Sequence, residues 1–231
     1  MSGWLALVGG GEWSEGCSFD QTLLDAAGTD EVVVLPTGSA YENPHRLVDA
    51  ATTWFTSLGA KVRVGEIYTR ADAMLETNAA AVRGARFVYL AGASPMHLRS
   101  VLKDSPVYDE LEASWRSGGV LAGTNAGADV LCDPMVDSRG GAFTVGLGLV
   151  SNLAVIPRAN TWSIEKVHRT VELAPARRGR PTRCRRPPGA SCRPAHARSP
   201  SARARPPGRC RPARARPCGA PSRSTTCWRV G

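Results

Sequence analysis

Four short apolar runs before residue 124 of this chain each stop at a turn of small residues, and that repetition limits the fold more than any other feature. Trp4–Val8 runs into Gly9-Gly10-Gly11-Glu12, and residues 31–35 run into Pro36-Thr37-Gly38-Ser39. Residues 87–90 run into Ala91-Gly92-Ala93, and residues 120–123 into Thr124-Asn125-Ala126-Gly127-Ala128. Lys61–Val64 reads as a further strand. Between the runs lie helical patterns over 44–58, with Leu47, Ala51, Trp54, Phe55 and Leu58 on one side, and over 71–83, 96–102 and 107–117. Short β-rich runs alternating with helical periodicity indicate a parallel sheet covered on both faces. The expected fold class is α/β, a three-layer sandwich with a mostly parallel sheet. Because the small-residue turns follow strands, they should gather at the carboxyl edge, where open α/β sheets bind ligands.

The last of these turns, 123–128, has the form of a nucleophile elbow. In that arrangement a strained turn between strand and helix exposes a Ser or Cys, and small residues leave backbone N–H groups free to hold an oxyanion. The apex here is Asn125, whose carboxamide nitrogen is not a useful nucleophile. Gly9–Glu12 lacks the GxGxxG spacing of a dinucleotide fingerprint, and no GxxxxGK[ST] occurs. No cofactor is expected.

The chain divides by composition. Residues 1–176 hold thirteen basic and twenty acidic side chains, net −7, as expected of a soluble domain. Residues 177–231 hold sixteen Arg, no Lys, no Asp and no Glu, with Pro, Ala, Gly and Ser filling most of the rest. Such a stretch cannot bury a core and is expected to be disordered. The overall charge of +9 comes from that tail alone and is weak evidence for a nucleic-acid partner, since Lys and interleaved aromatics are missing. The tail also reads as a frameshift in a GC-rich gene. Arg, Pro, Ala and Gly are mostly CGN, CCN, GCN and GGN codons, and with such codons a one-base shift restores apolar and acidic residues together. The five tail cysteines match no zinc pattern, so no metal is expected, and Cys17 and Cys132 in the body suit a reducing cytoplasm. With no apolar run of spanning length and no signal-peptide pattern, the expectation is a cytoplasmic protein with no membrane partner. The sequence is compatible with an oligomer.

Gly9–Glu12, Pro36–Ser39, Gly92, the elbow at 123–128, the stretch 137–149 and Ala154-Val155-Ile156-Pro157 occur in an order that resembles the cyanophycinase and aspartyl dipeptidase (dipeptidase E) family of serine peptidases. The resemblance covers about residues 3–175. It implies a flavodoxin-like sheet shared with class I glutamine amidotransferases, with 137–149 and 154–157 as later strands. It further implies hydrolysis of small peptides or isopeptides, Asp-containing ones among them. In such enzymes an elbow Ser attacks an amide carbonyl, a His moves the proton, and a carboxylate orients the His.

Carried over by position, the nucleophile is Asn125 and the general base is Arg158, which follows Ile156-Pro157. The oxyanion donors are Ala126 and the Gly92–Ala93 loop. An arginine stays protonated and cannot serve as a base. No Asp or Glu follows Glu172, so the acid is missing too. Thr124 and Cys132 are the nearest alternative nucleophiles, while Asp133 and Asp137 suit loop structure. His45, His97 and His168 are scattered singly, and Thr161 or Ser163 should cap a helix. The resemblance therefore implies an impaired copy, a pseudoenzyme. The alternative is a non-catalytic protein that binds a small peptide or amide ligand near Arg158.

Overall fold

Five parallel strands form the centre of the molecule: β1 (Trp4–Val8), β2 (Glu31–Gly38), β3 (Lys61–Val64), β4 (Phe87–Gly92) and β5 (Val120–Thr124). The helices between them are α1 (Phe19–Ala27), α2 (Pro44–Ser57), α3 (Arg70–Ala73), α4 (Glu76–Val82), α5 (Pro95–Leu102) and α6 (Pro106–Arg116). After β5 come α7 (Ala126–Val130), the short strands β6 (Cys132–Asp133), β7 (Met135–Val136), β8 (Phe143–Thr144) and β9 (Val150–Ser151), and α8 (Ile164–Glu172). The computed structural model describes residues 2–174 and the backbone of two later strands, β10 (Arg216–Pro217) and β11 (Thr225–Arg229).

Successive strand residues point to opposite faces, and here both sets are apolar. Leu5, Leu7, Val33, Leu35, Val88 and Leu90 face the layer formed by α3 to α7. Ala6, Val8, Val32, Val34, Phe87 and Tyr89 face α1 and α2, where Leu23 and Phe55 are completely buried. Burying a large side chain of this kind contributes roughly 1.5–3 kcal/mol. This is why the runs read as continuously apolar: a parallel sheet with helices on both sides has no solvent face.

Helix starts are written into the chain as cap–proline pairs. The side chains of Asn43, Ser94 and Ser105 accept the N–H groups of Arg46, His97 and Tyr108, and Pro44, Pro95 and Pro106 follow them. Ser163 caps α8 in the same manner by accepting the Lys166 N–H. The pattern over 71–83 divides into two helices, because Leu75 is extended (φ −78°, ψ 125°) and exposed. Thr69 and Asp72 form a capping box that starts the first of them. The helix α1 was not evident from periodicity, although Gly28 closes it in the left-handed conformation (φ 63°) that favours glycine.

The sheet order is β10-β11-β1-β5-β4-β2-β3. The segment β3-β2-β4-β5 follows the flavodoxin order 2-1-3-4, and the first strand of this chain takes the fifth place. The direction of winding reverses between β2 and β4, so a ligand crevice is expected at their carboxyl ends.

Two expectations about the later strands need correction. Within 137–149 only β8 is extended, and it pairs with β7 rather than with the main sheet. Residues 154–157 form no strand. The next residue, Arg158, is tied to Gly9 just past β1, and β11 lies antiparallel along that edge of the sheet, with Trp4 opposite Arg229 and Val8 opposite Thr225. The remainder of 177–231, on which the expected disordered or frameshifted tail falls, lies outside the described residues. Among the described residues no helix is long and apolar enough to cross a membrane.

Candidate active site

The register of the sheet brings the turns to one edge. Val8 pairs with Thr124, Leu90 with Gly123, and Gly38 with Gly92. At the end of β5 the chain reverses sharply at Asn125, with φ 51° and ψ −108°. A non-glycine residue in such a sparsely populated region costs about 1–3 kcal/mol and persists only where its surroundings enforce it. Two hydrogen bonds enforce it here: the Asn125 N–H donates to the Val8 carbonyl at 2.9 Å, and the Asn125 carbonyl accepts the Asp129 N–H at 3.2 Å. Close backbone approach adds to them. A Cβ on Gly123 would lie 2.5 Å from the Gly127 carbonyl, and one on Gly127 would lie 2.2 Å from the Leu90 oxygen. From residue 119 to residue 132 every residue is buried except Asn125. The fold thus builds a nucleophile elbow and opens it only at its apex.

Arg158 is tied to the same strand end as this apex. Its N–H donates to the Gly9 carbonyl at 2.6 Å, one residue on from the carbonyl that holds Asn125. The Arg158 backbone is left-handed (φ 51°, ψ 35°), and its carbonyl accepts the Thr161 hydroxyl at 2.8 Å. A Cβ on Gly10 would come within 2.8 Å of Arg158 Cγ, so the stem of the arginine lies across Gly10. The residue is exposed at the carboxyl edge.

Of the expected oxyanion donors, Ala126 opens α7, so its N–H belongs to the first-turn donors that lack an intrahelical acceptor. Gly92 (φ 125°) sits so close to the β2 turn that a Cβ there would lie 2.2 Å from the Gly38 carbonyl carbon. Ala93 departs from expectation. Its N–H donates to the Gly38 carbonyl at 3.1 Å, an oxygen that also accepts the Ser94 N–H at 2.9 Å. Its donor is therefore already engaged, because the loop folds back on β2.

The profile of Peptidase family S51 matches residues 5–174. The chain belongs to peptidase family S51. It is 29% identical to the cyanophycinases of Trichormus variabilis and of a Nostoc species, each over 157 residues, or 65% of this chain. The alignment takes in 53% of those proteins, so the chain spans about half the length of the curated relatives it matches. A crystal structure of a peptidase from an acI-B1 Actinobacterium superimposes with a TM-score of 0.67 at 26% identity, covering 74% of this chain and 75% of that one.

In this S51 chain the other candidate groups do not supply a triad. Cys132 is buried, its thiol donates to the Ala128 carbonyl at 3.4 Å, and burial together with the charge of Asp129 pushes its pKa up to about 12. It is not a thiolate nucleophile. Thr124 is fully buried before the apex. Asp137 organises its own loop by accepting the N–H and guanidinium of Arg139, and Asp133 contributes its carbonyl to the Asn152 N–H. His45 and His168 are exposed, the latter 3.4 Å from Glu172. His97 is half-buried, with Nε2 2.9 Å from the Tyr68 carbonyl. Among the described residues no cluster of three His, Cys, Asp or Glu side chains could hold a metal ion.

Sequence reasoning missed Asp129. It is fully buried in the elbow helix, with Oδ1 accepting the Val136 N–H at 2.8 Å and Oδ2 without a hydrogen-bond partner. Burial raises its pKa to about 7, opposed by the Val136 bond and assisted by the charge of Asp137. A lone acid inside the otherwise apolar and small stretch 120–132 was the available signal.

Proposed function

We propose that this chain carries a serine-peptidase cleft for small peptides or isopeptides, Asp-containing ones by family resemblance, in which the hydrolytic step is impaired. One observation carries the reading: the elbow backbone is complete and opens only at Asn125, a residue that can donate and accept hydrogen bonds but cannot attack a carbonyl. Arg158 holds the position the resemblance assigns to the base, and a guanidinium cannot take a proton. The Ala126 N–H remains suited to a substrate carbonyl oxygen. What such a site retains is ligand orientation, with at most the residual catalysis that binding and oxyanion donors give without a triad, about 10³–10⁴ over water.

A second reading, binding without turnover, draws support from Arg158. Its exposed guanidinium gives the carboxyl edge a positive charge that suits a ligand carboxylate. One experiment separates the readings. Asp-containing dipeptides are incubated with the wild-type protein and with Asn125→Ala, and both release of amino acid and thermal stabilisation are followed. Stabilisation without release favours the binding protein, since a ligand of the native state alone raises stability. Slow release in the wild type that Asn125→Ala retains favours an impaired hydrolase. Release that Asn125→Ala abolishes contradicts the impairment.

A further inference from the structure

We infer that Asn125 is a site of self-modification, where the elbow geometry promotes intramolecular deamidation of its own apex. The reaction requires a five-membered imide ring made of Cα, Cβ and Cγ of the asparagine, its carbonyl carbon, and the nitrogen of the next residue. In a flat ring of this kind, Cβ and that nitrogen must eclipse each other about the Cα–C bond. In an L-residue Cβ is offset by about 120° from its own nitrogen around this bond, so the ring requires ψ near about −120°. Asparagines in helices and strands lie far from this value. Asn125 has ψ −108°, which leaves Cβ within about 12° of eclipsing the Ala126 nitrogen. The backbone strain that would present a nucleophile in an active relative here pre-forms the ring, and only a side-chain rotation is left to complete it.

The neighbouring groups suit the reaction. The Ala126 N–H opens α7 and is not held by an intrahelical acceptor. Asn125 is the one residue between 119 and 132 that is not buried, which gives ammonia a way out and water a way in. The Ala126 nitrogen attacks Cγ of Asn125 and loses its proton to the departing amide nitrogen. The Cγ–Nδ2 bond breaks and ammonia leaves. Water then opens the imide, either at Cγ to give an aspartate or at the backbone carbonyl to give an isoaspartate. The first product places at the apex a carboxylate, a group able to act as a nucleophile where the carboxamide cannot.

The chain contains its own control. Asn78-Ala79 repeats the dipeptide, with a half-buried Asn before a buried Ala, but it lies inside α4, where helical ψ holds Cβ and the next nitrogen far from eclipse. The test incubates the full-length protein at mildly alkaline pH, native and in denaturant. Conversion at both sites is followed by peptide mass spectrometry and by isoaspartate labelling. Expected is native-state conversion at Asn125 faster than at Asn78 by on the order of tenfold or more, with the difference lost in denaturant. Asn125→Gln, which would need a larger ring, should remove the signal at that position. Conversion at Asn125 no faster than at Asn78 in the native protein, or faster in denaturant than in the native state, overturns the inference.

Discussion

Asn125 and Arg158 hang from consecutive carbonyls at the end of β1: Asn125 N–H on Val8 and Arg158 N–H on Gly9. One strand end thus sets the distance between the two positions at which the S51 resemblance requires a nucleophile and a base. A carboxamide is not a nucleophile and a guanidinium is not a base, which is what the proposed impairment rests on.

The close approach of α7 to the sheet should be intolerant of a single methyl group. Gly127→Ala places Cβ 2.2 Å from the Leu90 carbonyl oxygen, a backbone atom that cannot turn aside. The expected loss is about 2–3 kcal/mol or more in urea unfolding. A loss below about 0.5 kcal/mol would mean that the elbow is looser than described.

The strain at the apex can be read from a pair of variants. At an ordinary helical position Ala is more stable than Gly by about 1 kcal/mol. At Asn125 the order should invert, with Asn125→Gly more stable than Asn125→Ala by about 1–2 kcal/mol, since only glycine accepts φ 51° and ψ −108° without cost. Thermal unfolding of the two proteins decides it.

Asp129 should make stability depend on pH. Its folded-state pKa of about 7 lies above the ordinary aspartate value of 3.8, so the folded protein holds this proton more tightly than the unfolded chain. The resulting stabilisation is complete below about pH 4 and is lost as pH rises through about 7. Asp20, whose carboxyl burial also raises to about 7 against the hydrogen bond from Trp54, adds in the same direction. Asp129→Asn should therefore stabilise the protein at about pH 8 by a few kcal/mol and give little benefit at about pH 4. An equal effect at the two pH values contradicts the burial of a neutral acid.

Removing the guanidinium should affect ligand retention more than folding. Arg158→Ala keeps its backbone N–H for Gly9 but takes the charge from the cleft. Expected is loss of most of the thermal stabilisation given by an Asp-containing dipeptide, with the unliganded midpoint shifted by less than the equivalent of about 1 kcal/mol. Undiminished stabilisation would place the ligand elsewhere.

Most of the fold was legible because a doubly covered parallel sheet leaves a blunt signature: apolar runs such as 31–35 and 87–90, each ending in small residues. The elbow was legible for a similar reason, since Gly123 and Gly127 occupy positions where nothing larger fits. The break at Leu75 was hidden, because no Gly or Pro marks it. Ala154–Pro157 misled, since an apolar quartet reads as a strand whether or not the chain around it pairs with the sheet. The engagement of Ala93 with Gly38 and the burial of Asp129 depend on how distant turns meet, which local pattern does not encode.

The most direct measurement is hydrolysis of Asp-containing dipeptides by freshly prepared full-length protein, with Asn125→Ala alongside and amino-acid release followed by NMR. Expected are equal traces for the two proteins, at background or at a slow residual rate, while the peptide still raises the melting temperature of the wild type. Turnover in the wild type that Asn125→Ala abolishes would contradict the central claim, because it would make the elbow carboxamide part of a working catalyst.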